Sequence, residues 1–401
     1  MTPSSVPRRR SRLGAPAALL ALVVLASASV SVSASTAGAA AGEVPQDGRI
    51  LRVGPDRALA RPSEAAAIAR DGDRVLIDAG TYRGDVATWT ADDLEITGVG
   101  GLVRLPAAGR DAQGKGIWVI AGDRVVVRRV AFSGARVADR NGAGIRAEGT
   151  GLRVIGCRFT GNENGILAGA RTGSRIVVRD SVFRRNGHGD GQSHQLYVGE
   201  VASLVVQGSL FVGARGGHAV KSRALRTRLL ANRILDADAA SSYLVDLPDG
   251  GDAHLSGNVL RQGPNAVNRT LVSYAAESQD HADQRLVLGF NTLLNDQSSG
   301  VFVRAAGRPG IVLRNNLLVG PGDLVSSAGA RVSSRGDVRL AAPRGFADAD
   351  ADDLRLLPGS PAADRAVAVR RQLQPPRQPS LSIGTRPRRD HGDVGAYALL
   401  D

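Results

Sequence analysis

Val125-Val-Val-Arg-Arg-Val-Ala-Phe132, Leu152-Arg-Val-Ile-Gly-Cys-Arg-Phe159, Ile176-Val-Val-Arg-Asp-Ser-Val-Phe183 and Leu204-Val-Val-Gln-Gly-Ser-Leu-Phe211 are four versions of one string. Arg228-Leu-Leu-Ala-Asn-Arg-Ile234, His254-Leu-Ser-Gly-Asn-Val-Leu260, Leu286-Val-Leu-Gly-Phe-Asn-Thr-Leu293 and Ile311-Val-Leu-Arg-Asn-Asn-Leu-Leu318 continue the series. Each has an apolar run, a small or polar pair, and a closing apolar residue. The closing residues recur at intervals of 27, 24 and 28 from Phe132 to Phe211, then 23 to Ile234. A fixed period of that size is the mark of a repeat architecture, in which each unit buries its apolar face only against its neighbours.

A second series interleaves with the first: Gly116-Ile-Trp-Val, Gly144-Ile-Arg-Ala, Gly165-Ile-Leu-Ala, Gln195-Leu-Tyr-Val, Ala219-Val-Lys-Ser, Tyr243-Leu-Val-Asp, Thr270-Leu-Val-Ser and Gly300-Val-Phe-Val. Two or three strands of three to five residues per turn describe a parallel β-solenoid. Asn232, Asn258, Asn291 and Asn316 recur at one turn, where Asn adopts a left-handed conformation or stacks in a ladder. The fixed Leu-x-x-Leu-x-Leu frame of a leucine-rich repeat is missing.

Composition agrees. The 401 residues are 43% apolar but only 3% aromatic, so the core must be built from small aliphatic side chains. The single cysteine, Cys157, excludes an intramolecular disulfide and lies in a core-like string. Arg8, Arg9, Arg10 and Arg12 precede an apolar run from Ala15 to about Val30, followed by Ala37-Gly38-Ala39. That order reads as an export signal over residues 1–41, and Arg9-Arg10 admits a twin-arginine route. The expected localisation is therefore secreted, periplasmic or extracellular, with no stable membrane insertion after processing.

The formal net charge is +13, and arginine outnumbers lysine 49 to 2, the lysines being Lys115 and Lys221. For an exported chain a basic surface points to acidic glycans rather than nucleic acid. A monomer is expected.

Pro62–Arg70 reads as a short helix opened by Pro, placed to cap the open end of the solenoid. Residues 42–100 are read as this cap and the first coil, 101–340 as the coils, and 341–401 as a tail with the last strands. Within the tail, 370–390 is read as a surface loop across the last coils.

The opening helix with Gly72-Asp-Arg-Val-Leu-Ile-Asp-Ala-Gly-Thr-Tyr82, the Asn-marked coils, and the close Ser360-Pro-Ala…Asp393-Val-Gly-Ala-Tyr397 resemble the pectate-lyase-like superfamily. The resemblance covers nearly the whole of the expected mature chain. It implies an all-β fold, a single-stranded right-handed parallel β-helix with a short N-terminal capping helix. That fold hosts lyases, hydrolases, epimerases, adhesins and proteins without known activity, so the reaction must be argued from a site.

Residues with chemistry concentrate between about 186 and 277. His194 and His218 lie 24 apart, as do Tyr197 and Lys221. Equivalent positions in successive coils stand about 4.8 Å apart. With Leu196 and Val198 inward, Tyr197 points out. Lys221 then stands beside it, and Asp246 continues the row with a one-residue shift. The expected catalytic group is Lys221 as base, Tyr197 or His194 as second acid/base, with His218 and Arg223. His188, Asp246, Asp249, Tyr274 and Glu277 are the expected substrate-binding residues. Together they make an exposed patch suited to proton abstraction from a uronic acid, in which a cation neutralises the carboxylate, a base takes the C5 proton and an acid protonates the leaving oxygen.

Lys221-Ser-Arg…Asn232 also resembles the segment around the catalytic lysine of chondroitinase B and alginate-lyase type polysaccharide lyases. That resemblance supports Lys221 alone. The calcium ligands it would imply just before the lysine are replaced by Ala214 and Gly216, so no cofactor is assigned and calcium stays a possibility without ligands. Asp348, Asp350, Asp352 and Asp353 read as an acidic surface loop. Two functions follow: lyase- or epimerase-type action on an acidic, uronate-containing polysaccharide, or non-catalytic binding of such a polymer.

Overall fold

A computed structural model describes residues 48–400; the expected export segment 1–41 lies outside them. Parallel strands wind into a solenoid with three strands per coil. Two of the three strand columns belong to one 21-stranded sheet, and the third forms a separate sheet of 10.

The strings stack as their period predicts. Phe132 pairs with Phe159, then Phe183, Phe211, Ile234, Leu260, Leu293 and Leu318, all in parallel register. The four Phe rings stack at centroid separations of 5.2, 4.7 and 4.5 Å. These inward residues, with the Val, Leu and Ile of the other columns, form one continuous core.

The bend between the two columns of the large sheet is built the same way in seven successive coils. One residue takes a left-handed conformation: Gly156, Asp180, Gly208, Ala231, Gly257, Phe290 and Asn315 in turn. The residue after it enters a buried ladder. Backbone N–H groups of Cys157 and Ser181 donate to Ser181 Oγ and Ser209 Oγ, and Ser209 N–H donates to Asn232 Oδ1. The ladder continues through Asn258, Asn291 and Asn316 and ends on Asp337 Oδ1. A carboxylate suits the last rung because it accepts and need not donate further. The ladder asparagines are thus not the left-handed residues; the residue before each one is. Burial in this column pushes the Cys157 thiol up to about 12, as befits an inert core residue.

The cap helix spans Pro62–Ile68 and puts Ala65 into the core. Ser63 N–H and Oγ–H both donate to Asp85, tying the helix to the first coil. The tail forms two short antiparallel pairs, Phe346–Asp348 with Asp353–Leu356 and Arg377–Pro379 with Thr385–Pro387. Phe346, Leu354, Val394 and Tyr397 cover an apolar outer stripe made by Leu235, Val259, Leu294 and Leu317. The stretch 370–390 crosses the middle coils rather than the last: Gly384 N–H donates to the Gly208 carbonyl, and Pro375 lies against Gly257. Asp352 in the acidic loop pairs with Arg261 at 2.9 Å.

One expected register was off. In the 10-stranded sheet Trp118 pairs with Ile145, Val220 with Val245, and Val272 with Val303. The strings beginning at Gly116, Tyr243 and Thr270 are therefore displaced by one residue, and that at Gly300 by two. The solenoid absorbs the extra residues in the loops between strands, where spacing is unconstrained.

Candidate functional site

The outward row of the 10-stranded sheet carries the site. Leu167, Tyr197, Lys221, Asp246 and Ser273 are successive register partners. Asp246 stands directly beside Lys221, 25 residues on rather than 24, with the expected one-residue shift, because the extra residue sits in the preceding loop. Arg223 lies two residues after Lys221, beyond the strand Val220–Ser222, and still reaches the same face.

Just before these strands runs a ladder made of rings. His194 N–H donates to Asn164 Oδ1, His218 N–H to His194 Nδ1, and Tyr243 N–H to His218 Nδ1, at 2.8, 3.1 and 3.1 Å. The His194 and His218 rings stack at 4.8 Å, and His218 stacks on Tyr243 at 5.1 Å. An Nδ1 that accepts a backbone N–H carries no proton, so each neutral ring carries its proton on Nε2. Burial, reinforced by the neighbouring His218 and by the charges of Lys221 and Arg223, holds His194 well below the usual histidine value. Burial, against the opposing pull of Asp246, takes His218 down to about 4. Both rings are neutral donors at pH 7, and the acid/base role expected of His194 does not fit a ring so held.

The charged groups form one network. Lys221 Nζ lies 2.9 Å from Asp246 Oδ2 and 2.9 Å from Glu277 Oε1. Arg223 NH1 donates to Asp249 Oδ1 at 2.6 Å, its NH2 donates to Glu277 Oε2, and its Nε donates to Tyr197 Oη at 3.3 Å. His218 Nε2 lies 3.3 Å from Asp246. Burial works against the Lys221 ammonium, but Asp246 and Glu277 outweigh it and hold its pKa above the ordinary lysine value. Burial also works against Arg223, and hydrogen bonds to Glu277, Tyr197 and Asp249 keep it charged. Glu277, which burial would raise, is held below the usual carboxylate range by Lys221 and Arg223. A lysine in this state donates protons, so the base role expected of Lys221 does not describe it at rest.

The network faces a cavity of about 510 Å³ whose walls include Gln192, His218, Arg223, Ser242 and Glu277. The expected patch is not exposed: His194, His218, Lys221, Asp246 and Asp249 are all buried. The loops 187–193, 237–243 and 275–284 rise around them. Of the expected residues, Lys221, Tyr197, His194, His218, Arg223, Asp246, Asp249 and Glu277 come together. Two do not. Tyr274 pairs with Leu247, points into the core and donates its hydroxyl to the Gly251 carbonyl. His188 is an exposed loop residue whose ring lies 3.5 Å from Glu163 on another coil. Sequence reasoning missed Gln192, Ser242 and Tyr243; only Tyr243 carried a signal, lying 25 residues after His218.

Residues 89–234 match the family described as the right handed beta helix region. Pectate lyase Pel9A superposes with a TM-score of 0.62 at 13% identity, over 88% of this chain and 96% of the other. The chain is a right-handed parallel β-helix. Other solved structures that align are an alginate lyase from Paenibacillus sp. str. FPU-7 (TM-score 0.47, 14% identity, 69% of this chain and 95% of the other) and the PL6 family alginate lyase AlyGC (0.44, 13%, 73% and 40%). No curated protein matches the β-helix by sequence. Among its described residues no helix is long and apolar enough to cross a membrane.

Calcium does not fit this site. Asp246, Asp249 and Glu277 already face Lys221 and Arg223, and a cation among them would meet two fixed positive charges. Among the described residues, Asp364, Asp390 and Asp393 do converge in the tail. There Asp393 accepts backbone N–H bonds from Asp364 and Leu399, which makes it a turn anchor.

Proposed function

We propose that this β-helix is a secreted protein that acts on an acidic, uronate-containing polysaccharide by proton abstraction, as a lyase or an epimerase. One observation carries the reading: Lys221 and Arg223 converge on a single carboxylate, that of Glu277, at the floor of a cavity beside the Tyr197 hydroxyl. A uronate carboxylate bound between the same two cations loses its ability to repel charge at C5, and the C5 proton becomes acidic. Tyr197, whose oxygen accepts from the Arg223 guanidinium, takes that proton once its own has passed to solvent. In elimination the C4–O bond breaks, a C4–C5 double bond forms, and the Lys221 ammonium protonates the departing oxygen. In epimerisation the C4–O bond stays intact and the Lys221 ammonium instead delivers a proton to the opposite face of C5. His194 and His218 keep the wall neutral and rigid as hydrogen-bonded stacked rings, which supports their positioning role.

The test is incubation of the purified protein with a panel of uronate polymers and glycosaminoglycans. Expected is a rise in ultraviolet absorbance from unsaturated ends, or epimerised product, lost in Lys221→Ala and Tyr197→Phe proteins that keep the wild-type melting temperature. Salt-sensitive binding without product on every polymer would replace catalysis with the binding-protein reading. That second reading draws on the ion pairs that already occupy both cations. Neither product nor binding anywhere would end both.

A further inference from the structure

Glu277 differs from the other two carboxylates of the network. Asp246 and Asp249 are private partners: each serves one cation, and their side chains are 4% and 7% exposed. With them alone Lys221 and Arg223 are balanced. Glu277 adds a third negative charge, spreads its two oxygens over both cations, and is 50% exposed. It comes from the loop after the strand Thr270–Tyr274, two coils away from Lys221. The backbone N–H groups of Glu277 and Ser278 both donate to the Pro248 carbonyl, so the loop is anchored where it delivers the side chain. Withdrawing Glu277 therefore requires rotation of one half-exposed side chain and no movement of the fold.

From this geometry we infer that Glu277 is a built-in stand-in for the carboxylate of an anionic sugar, which enters the site by displacing it. The inference rests on the functional reading above. Its logic is charge and shape together. A bidentate carboxylate shared by an ammonium and a guanidinium is the arrangement an external uronate would need. With Glu277 in place the site carries two cations against three anions, so the cavity repels a polyanion until that side chain leaves. A neutral glycan brings no carboxylate to exchange and cannot open the site. Glu277 thus sets specificity: it admits only ligands whose acidic group competes for Lys221 and Arg223 at once.

The experiment is calorimetric binding of trimeric galacturonate, trimeric mannuronate and neutral maltotriose to the full chain and to Glu277→Gln and Glu277→Ala, with melting curves to verify folding. Expected is at least tenfold tighter binding of an acidic trimer to both variants than to the wild type, with maltotriose unbound by all three. Binding by the variants alone supports the same conclusion. Acidic trimers bound by the wild type and bound equally or more weakly by both variants would overturn the inference while leaving the functional reading intact. Acidic trimers bound by none of the three proteins would remove the reading and the inference with it.

Discussion

Asp236 offers a measurable consequence of how tightly the loops near the site are packed. It follows the strand Arg233–Leu235 and opens the turn that leads to Ser242 and Tyr243. The side chain is 1% exposed; Oδ2 accepts a 3.4 Å bond from Gly263 N–H, and Oδ1 is buried without a hydrogen-bond partner. Burial, offset only in part by Ser241 and Gly263, pushes its pKa up from 3.8 to about 7. The folded chain therefore keeps a proton that the unfolded chain releases near pH 4. Stability from this group is fully present below pH 4 and is lost as pH rises through 7, because the unfolded state binds fewer protons across that window. At roughly 1.4 kcal/mol per pH unit, the loss is on the order of 4 kcal/mol. Asp236→Asn mimics the protonated form at every pH. In urea titrations the variant should match the wild type at pH 4 and exceed it by on the order of 4 kcal/mol at pH 8. Taking the difference between the two proteins cancels the titrations of His194 and His218. Parallel stability curves from pH 4 to pH 8 would refute the reasoning.

Two further outcomes test the ladder and the ion network. Asn258→Ala removes a side chain that accepts from Asn232 N–H and Nδ2 and donates to the Leu229 carbonyl and Asn291 Oδ1. It strands buried groups on two coils and should cost about 3 kcal/mol in denaturant unfolding, whereas a loss under about 1 kcal/mol would mean that the rungs contribute little. Asp246→Asn should lower the Lys221 pKa, since Asp246 is the strongest influence raising it. With only two lysines in the chain, carbon-13 methylation and titration by NMR would read Lys221 against Lys115, and an unmoved Lys221 resonance would show that Asp246 is not its partner.

The solenoid was legible because its signal is periodic. Phe132, Phe159, Phe183 and Phe211 announce their own stacking, and a reader needs only their spacing. The second strand column was harder. It lacks a marker as distinctive as Phe, and Ile117-Trp118 can be slid by one residue without changing its apolar character. A slip of one exchanges the inside for the outside of a strand. That is how Tyr274, an inward residue, is placed at the surface by sequence alone. His188 failed for another reason. It belongs to a loop, where the coil period gives no position. The depth of the site was equally invisible, because it depends on how high the loops 187–193 and 275–284 stand over the sheet.

Register also says nothing about protonation, and here the site parts from its sequence. Tyr197, Lys221 and Asp246 stand in a row because successive coils are stacked, and Arg223, just past the end of its strand, reaches the same face. From positions alone Lys221 is the natural base. What keeps it protonated is Asp246 beside it and Glu277 above it, and Glu277 is contributed by a loop two coils on. His194 and His218 follow the same pattern. Their spacing of 24 puts the rings in contact, but it is the backbone N–H bonds onto Nδ1 that fix the tautomer and remove them as bases. With Lys221 and the histidines so committed, Tyr197 is the hydroxyl left facing the cavity beside a permanent cation, which is why the proton transfer is proposed for it. The chemistry proposed for this β-helix therefore depends less on which residues share the row than on which of them their neighbours have left free.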